Sequence, residues 1–385
     1  MKWQNKGHEF DALGEIFKKN KDLLVIGNEE SLKNIKKELD FLNTKIEYKT
    51  LKEVFSIPIL SGFKLKNKTI VIADNNQETL EKLLKIKWLK HNENIFLGIN
   101  FLRFFLSIYA LYVCNKVYAG ISTCIIITTH CPLNCKYCLN YEPYIKNKKH
   151  RDFEEIKNDI DLFFKCFDRV KYFSISGGEP FLYPKFGELI KYINSNYIDK
   201  INSLWFATSC GALPNDETLK IIKESNIDVY IDDYTENASF TKSNYDKLIK
   251  KLDENNISYV LPAGNIKFIK TFPPKEDYTK YTEEQLINKY QLCQNAGTDL
   301  RDGKLYSCCY SSFADTAQLV PALEDDVYNL MEFDESKKRE LVEFKLYYTE
   351  KGYVNFCKYC NGFVSNNNIY DENGVTQLER GKILE

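Results

Sequence analysis

Charge imbalance is the first thing this 385-residue chain lacks: 53 Lys and Arg stand against 54 Asp and Glu, a net charge of −1. Without a field of one sign there is no strong electrostatic case for nucleic acid or an anionic membrane as partner. The lysines are spread through the chain beside acids and read as a solvated surface. A long apolar run is missing too. The most apolar stretch, FFLSIYALYVC at 104–114, is shorter than the ~20 residues that span a bilayer, so a buried helix is expected there. The opening MKWQNKGHEF is too polar for a secretion signal. With twelve cysteines, that points to a reducing cytoplasm and away from a disulfide framework. No repeat of fixed period occurs. The dinucleotide fingerprint is absent as well: GNEESL follows the first strand-like run and offers only Gly27 of G-x-G-x-x-G, which argues against tight NAD binding.

What is present is ample core material, 44% hydrophobic residues, in a length that suits two or three domains. Apolar runs at 23–27, 69–74 and 95–99 read as buried strands. Helical patterns lie between them, at 30–41 and through Leu80, Leu83 and Leu84. Further strands are expected near 122–129, 172–176, 203–208, 228–232 and 257–261, and a helix over 153–167 places Phe153, Ile156, Ile160, Phe163 and Phe164 on one face. Such alternation implies parallel βαβ units, whose active sites gather at the carboxyl ends of the strands.

The chemistry-bearing feature is CPLNCKYC, with Cys131, Cys135 and Cys138. Three thiolates at this spacing can hold three irons of an iron–sulfur cube and leave the fourth without a protein ligand, an open position where chemistry can occur. A zinc site with His130 as fourth ligand is the alternative, but His130 is adjacent to Cys131, and structural zinc sites usually pair two C-x2-C knuckles.

The motif, with Tyr137 before its third Cys, resembles the signature of the radical S-adenosylmethionine (SAM) superfamily. Gly177, Gly178, Glu179 and Pro180 in SISGGEPFLYP match that family's GGEP loop, which implies a grip on the amino group of SAM. The family often carries Thr-Asn-Gly where this chain has Thr208 and Ser209, and the resemblance implies a SAM contact for Ser209. Asp232, in DVYIDDY, stands where relatives often have Ser. An acidic group there suits ribose hydroxyls and would repel a carboxylate. The implied fold is α/β: a partial (β/α)6 barrel over 119–284, after a Rossmann-like α/β domain over 1–118. The implied cofactors are SAM and a SAM-binding [4Fe–4S] cluster, and the implied partner is an electron donor such as flavodoxin or ferredoxin.

A second cysteine group follows: Cys293, then Cys308 and Cys309 at the end of LRDGKLYSCC, then Cys357 and Cys360 in FCKYCNG. Asp302-Gly303 is a two-residue hairpin turn that would bring Cys293 and Cys308 near each other. The layout resembles the twitch domain, the shorter form of the SPASM extension of many radical SAM enzymes. That implies a small β-hairpin and helix cap over 285–385 in which Cys293, Cys308, Cys357 and Cys360 hold an auxiliary [4Fe–4S] cluster. Cys309 could replace Cys308, and a zinc ribbon on these thiols is the alternative. Cys210 or Cys309 could also serve as a hydrogen-donating thiol, and Asp233 and Tyr234 are candidate bases. The remaining cysteines, Cys114, Cys124 and Cys166, read as buried apolar residues.

Three functions compete. The first is radical SAM oxidation or epimerisation of a sugar, nucleotide-sugar or similar alcohol, favoured by the Rossmann-like N-terminal region through fold analogy. The second is a ribosomal-peptide maturase, for which the cysteines are few. The third is a non-enzymatic iron–sulfur or zinc protein, which leaves GGEP unexplained.

Overall fold

The computed structural model describes all residues except 57–66, 75–76, 87–88, 90–93, 237, 262–267, 295–296, 365–369, 372–374 and 380–385. The Asn-rich stretch after residue 364 falls outside the described residues.

Two sheets organise the chain. The first is four-stranded and wholly parallel, in the order β2-β1-β3-β4, from β1 (Asp22–Gly27), β2 (Ile46–Thr50), β3 (Lys68–Ile72) and β4 (Ile95–Leu97). Its central strands are fully buried runs such as LLVIG, as parallel strands covered on both faces should be. Asn28 caps the helix Glu29–Leu39 by accepting from the Ser31 N–H. The edge strand β2, IEYKT, is half-buried along its length. Its charged residues match the solvated side of an edge, which is why hydrophobic patterning passes over it.

The apolar stretch 104–114 is helical from Leu106 to Cys114, after a π-helical turn at Phe101–Phe105. It packs on the helix Asp11–Lys19 so closely that a Cβ on Gly14 would lie 2.2 Å from the Tyr112 ring. One continuous apolar core runs from Phe17, Val25 and Val71 through Tyr109 into Ile125, Phe163 and Phe206. The N-terminal sheet is thereby joined to the second sheet through buried side chains.

That second sheet has nine strands. Five run parallel in the order β10-β9-β8-β7-β6: β6 (Thr123–Thr128), β7 (Arg169–Gly177), β8 (Ile201–Thr208), β9 (Asp228–Ile231) and β10 (Tyr259–Val260). The short β5 (Tyr118–Ala119) pairs with β7. Helices return between them, two of them started by a side-chain cap: Asp152 for Phe153–Cys166 and Asn215 for Asp216–Glu224. The expected helix face is found, with Ile156, Ile160, Phe163 and Phe164 buried.

The C-terminal hairpin is not a separate cap sheet. β12 (Thr298–Arg301) lies parallel to β6, pairing Asp299 with Cys124, and β13 (Lys304–Tyr306) and β14 (Val327–Asn329) extend the same sheet antiparallel. The Asp302-Gly303 turn has positive φ at both residues, the geometry of a type I′ hairpin. The turn is pinned to the helix Phe153–Cys166: the N–H groups of Asp302 and Gly303 donate to the Asp159 carboxylate at 3.0 and 2.6 Å, and Arg151 donates to Asp159 at 2.7 Å. The two short strands β11 (Phe268–Ile269) and β15 (Tyr370–Asp371) form a small ladder of their own.

Candidate active site

The strands place the motifs on one rim. β6 ends at Thr128, three residues before Cys131. β7 ends in Gly177, and β8 ends at Thr208 beside Ser209. The glycines of the GGEP loop are there for the protein's own backbone as much as for a ligand. A Cβ on Gly177, at φ +151°, would sit 2.2 Å from the Thr128 carbonyl oxygen, and one on Gly178 would sit 2.2 Å from that of His130. The N–H groups of Gly178 and Glu179 donate to those same carbonyls at 2.9 and 2.8 Å. The loop is thus stitched to the strand end that carries the first cysteines.

Glu179 is fully buried. Its carboxylate accepts from the Thr208 hydroxyl at 2.8 Å, the Ser209 hydroxyl at 2.7 Å, the Ser209 N–H at 3.0 Å and the Phe181 N–H at 3.3 Å. These fill its lone-pair positions, so in this state Glu179 ties the β7 loop to the end of β8. Contact with an amino group would require the Ser209 hydroxyl to turn away. Burial raises the Glu179 carboxyl above its ordinary value, and these donors work against that. Pro180 is buried and starts a 3-10 turn.

Cys131, Cys135 and Cys138 pack together with Leu133, Tyr234, Ala238 and Val375. Burial raises all three thiols, Cys135 up to about 12 and Cys138 to about 11, and Cys138 adds repulsion to the other two. Each is met by N–H donors that favour the thiolate: Leu133 at Cys131, Gln377 at Cys135, and Asn140 and Glu142 at Cys138. Crowded thiols with converging N–H groups fit a cation-rich iron–sulfur cluster, which would offset their mutual repulsion. Among the described residues no three His, Cys, Asp or Glu side chains converge on a single-ion position. His130 instead stacks on His150, with ring centroids 4.5 Å apart. Tyr137 is half-buried, between the ammonium groups of Lys136 and Lys270.

Asp232 closes the rim. Its N–H donates to the Thr208 carbonyl at 2.9 Å, its carboxyl is raised by burial, and Tyr234 donates to it at 3.2 Å. Asp233 is exposed and accepts from the Thr235 N–H, so of the two candidate bases only the buried Tyr234 faces the cysteine loop. Cys210 is buried with a left-handed φ of 57°, and its thiol is pushed up to about 12 by burial, then by Glu179, Asp233 and Asp232. A thiol held protonated in this way is a poor nucleophile.

The second cysteine group also assembles. Cys308 is raised by burial and by Cys309, Cys293 and Cys357, and Cys360 by burial and by Cys293. Two sulfurs accept backbone N–H donors: Cys360 from Gly362 at 3.2 Å and Cys293 from Phe363 at 3.3 Å. Lys289 donates to the carbonyls of Cys357 and Cys360. Cys309 starts the next helix, Cys309–Thr316, and has Asp299, Cys124 and Cys293 as neighbours. These surroundings suit the same kind of group as the first site, and Cys308 has both Cys293 and Cys357 as neighbours. Tyr141, buried, links the two groups: its N–H donates to the Cys138 carbonyl at 3.0 Å, and its ring has Cys360 and Cys308 as neighbours.

Sequence patterning missed what lies on the sheet face opposite the helices. Phe173, Ile175, Leu204, Phe206, Val229 and Ile231 belong to the core under the helices. By strand alternation the opposite face presents Ser174, Ser176, Trp205, Ala207 and Tyr230. Trp205 and Tyr230 meet edge to face at 5.4 Å. The same row continues through Cys124 to Asp299. Asp299 is fully buried, with the Ser312 hydroxyl and the Cys124 thiol beside its carboxylate. Burial pushes its carboxyl up to about 7, although Ser312 and Arg301 nearby favour ionisation. Lys345, also buried, donates to Thr123 at 2.8 Å and Thr298 at 2.7 Å, and burial lowers its ammonium to about 7.

The sequence profile of the radical SAM superfamily matches residues 125–259. No curated relative matches the chain. Among solved structures, BtrN in complex with AdoMet and 2-DOIA is similar at 17% identity over 66% of this chain and 98% of that one, with a TM-score of 0.42. anSMEcpe with bound AdoMet and Cp18Cys peptide is similar at 14% identity over 68% and 93%, TM-score 0.41. Streptococcus suis SuiB bound to precursor peptide SuiA is similar at 19% identity over 40% of this chain and 35% of that one, TM-score 0.30. This chain therefore spans about a third of SuiB. Likenesses this weak carry no argument about substrate. Among the described residues no helix is long and apolar enough to cross a membrane.

Proposed function

We propose that this chain, whose residues 125–259 match the radical SAM superfamily, is a radical SAM enzyme with SAM and a [4Fe–4S] cluster as cofactors, and that it oxidises or epimerises a sugar or nucleotide-sugar in glycan or natural-product biosynthesis. When bound, the reduced cluster with SAM supplies a hydrogen-abstracting 5′-deoxyadenosyl radical, and a second cluster supplies an electron acceptor. Cys131, Cys135 and Cys138 would hold the first cluster, and Cys293, Cys308, Cys357 and Cys360 the second. Tyr137, Gly177 to Pro180, Ser209 and Asp232 would line the SAM site, with Asp232 directed at ribose hydroxyls. The reaction would run in the cytoplasm, with a flavodoxin or ferredoxin as reductant.

The observation that carries the substrate class is the sheet face opposite the helices. Ser174 pairs with Trp205 there, and Tyr230 from the neighbouring row meets the Trp205 ring edge to face, a polar-aromatic surface suited to a ring that carries hydroxyls on its edge and C–H groups on its face. Asp299 supports oxidation. Removing two electrons from an alcohol carbon takes away a hydrogen atom, a proton and one further electron. A buried carboxylate with an affinity near neutrality would take that proton.

The test is incubation of anaerobically reconstituted enzyme with reductant, SAM and two panels, nucleotide-sugars and short peptides. The expected result is substrate-dependent 5′-deoxyadenosine and a sugar product either two mass units lighter or of unchanged mass and inverted configuration. Turnover of peptides alone would replace this reading with that of a peptide maturase.

A further inference from the structure

The segment Val375–Glu379 lies against the first cysteine loop, far from it in sequence. Val375 is buried among Leu133, Cys135, Tyr234 and Ala238. Gln377 forms an antiparallel bridge with Cys135, and the flanking backbone follows: the Lys136 N–H donates to the Thr376 carbonyl at 2.9 Å and the Leu378 N–H to the Asn134 carbonyl at 2.9 Å. Asn134 is held at both ends. Its N–H donates to Gln377 Oε1 at 2.7 Å, and its amide Nδ2 donates to the carbonyls of Leu378 at 3.1 Å and Glu379 at 3.2 Å. The Gln377 Nε2 completes the arrangement by donating to Cys135 Sγ at 3.2 Å and to the Val375 carbonyl at 2.7 Å.

At Cys131 and Cys138 the donors to sulfur are backbone N–H groups. At Cys135 a side-chain amide 242 residues away does the same. A donor at a ligating sulfur draws electron density from it, which lowers its donation to iron and raises the reduction potential of the group it holds. Such outer contacts also fix the ligand's orientation.

We propose that Val375–Glu379 is a clasp on the cluster-binding loop and that Gln377 is a positioning residue, which orients Cys135 and sets the potential of the cluster. This rests on the reading that Cys131, Cys135 and Cys138 hold that cluster. Gln377 has two separable functions: Oε1 holds Asn134, and Nε2 holds the sulfur. Gln377→Leu removes both. Gln377→Glu keeps the acceptor for Asn134 and removes the donor.

The experiment compares full-length wild type, Gln377→Leu and Gln377→Glu, reconstituted anaerobically. Two quantities are read without turnover: iron release to a chelator, and the midpoint potential of the cluster whose electron paramagnetic resonance signal responds to SAM. Gln377→Leu should release that cluster's iron about 10-fold faster and shift its potential to a more negative value. Gln377→Glu should shift the potential in the same direction while releasing iron at close to the wild-type rate. Unchanged potential and release in both variants, with a SAM-responsive cluster in each, would overturn the clasp. A wild-type protein without a SAM-responsive cluster would instead overturn the reading on which the clasp rests.

Discussion

At Gly178 the absence of a side chain decides the geometry of the rim. Alanine there would put a methyl group 2.2 Å from the His130 carbonyl oxygen, a backbone atom that cannot swing aside. Gly178→Ala is expected to cost about 1–3 kcal/mol, the scale of overpacking, and to lower iron incorporation at Cys131, Cys135 and Cys138. Urea unfolding and iron analysis check both. Asp299 makes a prediction with a sign. Its carboxyl is raised to about 7 by burial, so it contributes stability that is fully present below its unfolded value and is lost as pH rises through 7. Asn at 299 cannot ionise and escapes that loss. The thermal midpoint of Asp299→Asn minus that of wild type should therefore increase between pH 5 and pH 8. Lys345, lowered to about 7, contributes oppositely above pH 7, and the difference between the two proteins largely cancels it. Neither residue was legible in the sequence. Asp299 sits in TDLR, one turn-flanking acid among many, and only its pairing with Cys124 reveals what surrounds it.

At the scale of elements, the strands with continuous apolar runs and the helices with a single apolar face were legible, as at LLVIG and at Phe153–Cys166. The hairpin was legible too, because Asp302-Gly303 encodes its turn locally. Its partner was not: joining β12 to β6 is a long-range choice, fixed by Asp159, which accepts the turn's two N–H groups and the Arg151 guanidinium together. Among the described residues, Asp159→Ala would leave the buried Arg151 only the Asp302 carboxylate at 3.3 Å as its charge partner. A loss of about 3 kcal/mol is expected, as for other broken buried pairs, measured by denaturant unfolding. The docking of Val375–Glu379 on Asn134–Lys136 was equally hidden, since short polar segments carry no periodic signal for the partner they meet.

At the scale of the whole molecule, the Cys131, Cys135 and Cys138 loop follows the carboxyl end of β6, Cys293 precedes β12 and Cys308 follows the returning β13, and a continuous core joins the N-terminal sheet to the second sheet. The division of labour between the groups predicts that Cys357→Ala keeps SAM cleavage and loses product formation, as read by chromatography of both products from one reaction. The central claim is that the loop of Cys131, Cys135 and Cys138 supports reductive cleavage of SAM. Its most direct test is the amount of 5′-deoxyadenosine released by anaerobically reconstituted wild type and by the Cys131→Ala, Cys135→Ala and Cys138→Ala variants with a strong reductant. The account predicts release by wild type and none above background by any of the three variants. Equal release by a variant, or none by wild type carrying its full iron load, would contradict it.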